Sequence, residues 1–147
     1  MLPVLDVVPM REYATVAAGT AVIGVVDTKG YDFAKLLYIT NKATGASAQD
    51  FLDLAESDTE PTAFADGTAV DGFDGTADYS IVAESTTKSN VYVFNVDLKG
   101  RKRFLVTNYE SDMTHYGCWV ALLGRKQDGA EETVATTAHG ARNIING

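Results

Sequence analysis

One cysteine, two histidines and three prolines are spread over 147 residues, and each scarcity closes off a class of protein. Cys118 has no partner for an intramolecular disulfide, so the chain is not a disulfide scaffold and suits a reducing compartment. Two histidines offer little for imidazole catalysis. No apolar run approaches the roughly 18 residues that a membrane-spanning helix needs. The opening residues, MLPVLDVVPMREY, lack a basic stretch and are interrupted by Pro3 and Pro9, unlike a secretory signal. Cations are also short: 12 Lys and Arg stand against 20 Asp and Glu, a formal charge of −8. A general DNA or RNA binder needs basic surface to displace counterions from phosphates. The expectation is a protein made and used, or assembled, in a cytosol, without membrane or nucleic-acid partners.

What the chain does have is short β-rich runs separated by Gly, Asp, Asn and Thr. TAVIGVV (20–26) is β-branched and ends at the turn-like DTKG. AKLLYIT (34–40) and GCWVALLG (117–124) are apolar on both faces, as interior strands are. In FLDLAE (51–56), Leu52 and Leu54 face inward. VYVFNVDL (91–98) alternates most clearly, with Tyr92, Phe94, Val96 and Leu98 on one face and Asn95 and Asp97 on the other. RFLVTNY (103–109) follows across KGRK, which reads as a β-hairpin turned at Gly100. No segment carries a sustained helical period, and nothing alternates as βαβ. This predicts an all-β, antiparallel β-sandwich of jelly-roll type over residues 11–127. Residues 1–10 and 128–147 are expected to be extended N- and C-terminal arms.

Catalytic chemistry is thin. His115 lies three residues before Cys118, but those positions face opposite ways on a strand, and the expected arrangement is a loop histidine beside a buried, inert cysteine. His139 falls in the expected C-terminal arm. Asp66, Asp71, Asp74 and Asp78 crowd an acidic, Gly-rich passage (56–80) of the kind calcium favours, yet the spacing departs from the calcium-loop pattern and lacks its closing Glu. No phosphate-binding Gly motif is present. Neither catalytic residues, cofactor nor metal is expected, and the chain reads as a non-enzyme.

Lys99, Arg101, Lys102 and Arg103 gather a third of the cations at one point of an acidic chain. Three readings stand: a solvated turn whose charges discourage edge pairing, an inter-subunit contact using the bidentate geometry of Arg, or a nucleic-acid patch, for which four charges are few. Val134 and the Ile144–Ile145 pair are the apolar exceptions in the C-terminal arm, and Ile144 and Ile145, with the basic cluster, are the protein-interface candidates.

Three segments in order, VVDTKGYDFAKLLYIT (25–40), FLDLAESDTE (51–60) and VYVFNVDLKGRKRFLVTN (91–108), resemble a pattern in head decoration, or cement, proteins of tailed bacteriophages and related small virion components. From its first segment to its last the resemblance spans residues 25–108, about half the chain, and leaves out both ends. It implies a non-catalytic β-sandwich on the outside of an icosahedral capsid, stabilising the shell. Its partners would be the major capsid protein and further copies of itself, commonly as a homotrimer, in a virion assembled in the host cytoplasm. From another class comes a carbohydrate- or host-binding β-sandwich module of a virion, for which Phe73, Tyr79 and Trp119 beside the acidic loop are the aromatics available. Trp119 lies in so apolar a strand that it is expected in the core.

Overall fold

Period-two burial sets the strands. Between Phe33 and Thr40 every second residue is buried (Ala34, Leu36, Tyr38 and Thr40), and between Asn90 and Asp97 the inward phase is Asn90, Tyr92, Phe94 and Val96. The computed structural model describes residues 5–45 and 49–124 in full and the backbone of 141–146. Among the described residues there are nine strands. These are β1 (Leu5–Val16), β2 (Val22–Asp27), β3 (Phe33–Thr40), β4 (Gln49–Ser57) and β5 (Thr68–Ala69), then β6 (Asn90–Asp97), β7 (Phe104–Ser111), β8 (His115–Gly124) and β9 (Ala141–Asn146). The only helical element among them is a single 3-10 turn, Phe64–Asp66.

The strands form two sheets, β1-β8-β3-β6-β9 and β2-β7-β4-β5. The first eight strands pair antiparallel and nested: β1 with β8, β2 with β7, β3 with β6, and β4 with β5. That is one long double ribbon folded over on itself, closed into two sheets by the added pairs β3–β8 and β4–β7. Facing sheets bury their apolar phases against each other. Leu36, Tyr38, Tyr92, Phe94, Trp119 and Leu123 come from one sheet, and Val22, Val26, Leu52, Leu54, Leu105 and Tyr109 from the other. The fold is an all-β, antiparallel sandwich. Trp119 is a fully buried anchor: its indole N–H donates to Val22 O at 2.9 Å, and Gly24 leaves room for it.

Two sequence expectations, the 91–109 hairpin and the loop position of His115, are corrected by the structure. Residues 91–109 are not a hairpin: β6 pairs with β3 and β9, β7 pairs with β2 and β4, and residues 98–103 cross from one sheet to the other. Burial phase is the same in either arrangement, so alternation alone does not distinguish them. Residues 5–10 of the expected N-terminal arm form the first half of β1 and pair with β8. Residues 141–146 of the expected C-terminal arm form β9, parallel to β6. The remaining residues of those two arms lie outside the described ones. His115 is not a loop residue but the first residue of β8, with 2% of its surface exposed.

The nesting explains where the ends of strands meet. Because β2 neighbours β7 and β3 neighbours β6, the connections β2→β3 and β6→β7 cross between the sheets side by side at one end.

Candidate functional site

Those two crossovers are built from the same four-residue signal. Asp27-Thr28-Lys29-Gly30 and Asp97-Leu98-Lys99-Gly100 both read Asp-x-Lys-Gly. In each, the Asp Oδ1 accepts from the Lys backbone N–H two residues on, at 3.0 Å for Asp27 and 2.9 Å for Asp97. In each, a turn closes by an N–H···O bond of 3.1 Å, from Tyr31 to Thr28 and from Arg101 to Leu98. Gly30 and Gly100 sit at φ +89° and +78°, the left-handed conformation that the third position of such a turn demands. The second position, Lys29 or Lys99, is thereby held exposed at the tip. The turns are stitched together: Leu98 N–H donates to Asp32 O at 3.0 Å, and Thr28 donates to Arg103 O from its N–H at 2.8 Å and its hydroxyl at 2.7 Å.

The five cations at this end differ in how they are held. Arg103 donates from Nε to both oxygens of Asp27, at 3.0 and 3.1 Å, and from Nη2 to one of them at 2.6 Å; its guanidinium carbon lies 4.8 Å from the centre of the Phe104 ring. This bidentate partner holds the Asp27 carboxyl below the usual carboxylate range, with the Lys29 backbone N–H adding to the effect, and it pushes the Arg103 guanidinium up. Arg101 has Nη1 3.9 Å from Glu56 Oε2, which also accepts the Lys102 backbone N–H at 3.3 Å. Among the described residues Lys102 Nζ reaches the Thr68 hydroxyl, at 3.2 Å, and no carboxylate. Among the described residues Lys29 and Lys99 make no ion pair through their ammonium groups.

Between the turns lies a groove of about 380 Å³. Thr28, Lys29 and Tyr31 line it from one side, and Leu98, Arg101, Lys102 and Arg103 from the other. Among the described residues four cations and no carboxylate line it. Of the sequence-predicted interface residues, Arg101, Lys102 and Arg103 therefore come together here, with Lys99 at the adjoining tip. Ile144 and Ile145 do not join them: on β9 they stand opposite Val93 and Phe94. Sequence reasoning missed Lys29, although the repeated Asp-x-Lys-Gly was the signal that tied its turn to the basic one.

The other candidates resolve into structural roles. Asp66 Oδ2 accepts from the N–H groups of Thr62 and Ala63 and from the Thr62 hydroxyl, and Asp74 Oδ1 from Thr76 and the Ala77 N–H. These bonds hold both carboxyls below their usual range. Asp78 accepts the Asp74 N–H at 3.0 Å, while Asp71 is exposed. Among the described residues no group of three or more His, Cys, Asp or Glu is arranged to hold a metal ion. Asp53, also in this region, accepts the Gly75 N–H at 3.0 Å, and burial pushes its carboxyl up.

His115 joins a polar cluster inside the core. Its Nε2 lies 2.6 Å from the Tyr38 hydroxyl and its Nδ1 3.0 Å from Met113 O. The Tyr109 hydroxyl donates to Oε1 of the buried Glu84. Cys118 is half-buried on the outward phase of β8, facing away from His115, and burial pushes its thiol up. Phe73 and Trp119 are fully buried and Tyr79 donates its hydroxyl to Leu52 O, so none of the three is a free aromatic platform. No described helix is long and apolar enough to cross a membrane. No protein-family profile matches the chain, and no curated protein aligns with it at a significant level.

Proposed function

We propose that the chain is a non-catalytic structural protein of a tailed-bacteriophage virion, which binds the outside of the capsid shell and stabilises it. The observation that carries this reading is the groove end: two of the three segments that resemble decoration proteins, 25–40 and 91–108, are the two crossovers that build it. The nested pairing of β1 to β8 supports a jelly-roll reading, a winding that recurs in viral capsid and lectin domains. The side chains with catalytic potential support it too, since His115, Tyr38, Tyr109 and Glu84 are all sealed in the core. The partners in this reading are the major capsid protein and further copies of the chain as a homotrimer, on the virion surface after assembly in the host cytoplasm, with no nucleic-acid or enzymatic role.

Mass spectrometry of purified virions, with copy number measured against the main shell protein, tests it. A fixed stoichiometric ratio is expected, together with co-sedimentation of the purified protein with shells that lack it. A chain expressed during infection but missing from virions would overturn the reading.

A further inference from the structure

We propose that the groove between the two crossover turns binds an acidic segment of a partner protein, and that Lys29 and Lys102 supply the charge that meets its carboxylates. The proposal rests on the reading of this end as a contact surface and names what the surface contacts. Its basis is the division of labour among the cations. Arg103 is engaged by both oxygens of Asp27, and Arg101 is held toward Glu56. Those two guanidinium groups frame the wall. Lys102 Nζ has a neutral hydroxyl as partner, and Lys29 is exposed at a turn tip, with no ion pair through its ammonium group among the described residues. A lysine is a flexible point charge that meets a carboxylate without a preset geometry.

Size and field select the ligand class. About 380 Å³ is at the small end of ligand pockets and accommodates a few side chains, not a long polymer. The chain as a whole is strongly anionic, with 20 Asp and Glu against 12 Lys and Arg. A nucleic-acid backbone extending beyond the groove would run along that repulsive field, whereas a short peptide places two or three carboxylates locally. Half-buried Tyr31 gives the groove apolar surface that a side-chain stem packs on and a free phosphate does not use.

The test uses the full chain and a short fluorescein-labelled poly-Glu peptide, with binding read by fluorescence anisotropy at low and physiological salt. The wild-type protein should bind, more weakly as salt rises. Lys29→Gln with Lys102→Gln should weaken binding by about tenfold or more, since two charge contacts are lost at once. Lys42→Gln with Lys88→Gln, away from the groove, should leave it unchanged. Circular dichroism of each variant confirms that the sandwich is intact. Absence of peptide binding in low salt, or equal binding by the Lys29/Lys102 variant, overturns the proposal. Preferential displacement of the peptide by oligo-dT or inorganic phosphate also overturns it, in favour of a phosphate site. The two readings fail separately: a chain found on virions that does not bind the peptide loses only the groove, and a peptide-binding chain missing from virions loses only the virion role.

Discussion

Asp27 and Arg103 lie 76 residues apart in the chain and meet as a bidentate pair where two inter-sheet crossovers run side by side. Both side chains remain about half exposed, at 40% and 48%. The pair therefore orients Arg103 along the groove wall more than it stabilises the fold.

Its signature is a titration. The bidentate bond from Arg103 keeps the Asp27 carboxyl below its ordinary value of 3.8. A depressed carboxyl pKa means that the unfolded chain takes up protons first. The small stabilisation is then complete above the ordinary value and is lost as pH falls through the folded one. Arg103→Gln should move the Asp27 titration, followed by carboxyl-carbon NMR, back toward the ordinary value. Superimposable curves in the two proteins would mean that the pair does not form in solution.

Phe94 tests the core. It stacks on Trp119 with ring centres 6.1 Å apart and meets Phe73 edge-on at 5.5 Å, so it joins β6, β8 and the loop after β5. Phe94→Ala should cost about 3–5 kcal/mol, the range for truncating a buried aromatic, measured by urea unfolding. A loss under about 1 kcal/mol would be that of a surface residue.

Strand phase was legible because it is a local property. Tyr92, Phe94, Val96 and Leu98 share one face by alternation, and all four are buried. Pairing was not legible in the same way. Whether β7 lies beside β6 or crosses to the other sheet depends on the folding of the whole ribbon, and a short Gly-containing connection serves either course. The groove was half visible for the same reason. Four basic residues within five positions announce themselves, but Lys29 and Asp27 reach them only through the β2–β7 and β3–β6 pairings. His115 was misjudged because its burial comes from Tyr38 on β3 and Tyr109 on β7, which rest against its ring with centres 5.9 and 5.4 Å away.

Tyr38 and Tyr109 predict an alkaline limit to stability. Their rings lie 4.1 Å apart in the core, and both phenols are pushed well above the ordinary value of 10.0, first by burial and then by negative neighbours that include Glu84. Above about pH 10 the unfolded chain gives up protons that the folded one retains, so stability is intact below that pH and falls as pH rises. The slope is about 1.4 kcal/mol per pH unit for each such tyrosine. Urea midpoints at increasing pH should decline, and less steeply in Tyr38→Phe or Tyr109→Phe. Tyrosinate absorbance from these two residues that develops while the native circular dichroism persists would disprove the claim.

The last prediction separates the folded ribbon from its ninth strand. β9 is the one parallel strand among those described, added at the edge of the first sheet beside β6, and it takes no part in the nested pairs of β1 to β8. Each of those eight strands finds its antiparallel partner within residues 5–124. Deleting 141–147 should therefore leave a β-type circular dichroism spectrum and a single cooperative melt, at a lower midpoint because β6 becomes an edge. An edge freed in this way offers unpaired N–H and C=O groups to other chains, so the truncated protein should also aggregate more readily on heating. A chain that no longer melts cooperatively would place β9 within the folding unit and make Ile144 and Ile145, opposite Val93 and Phe94, part of what holds the first sheet together.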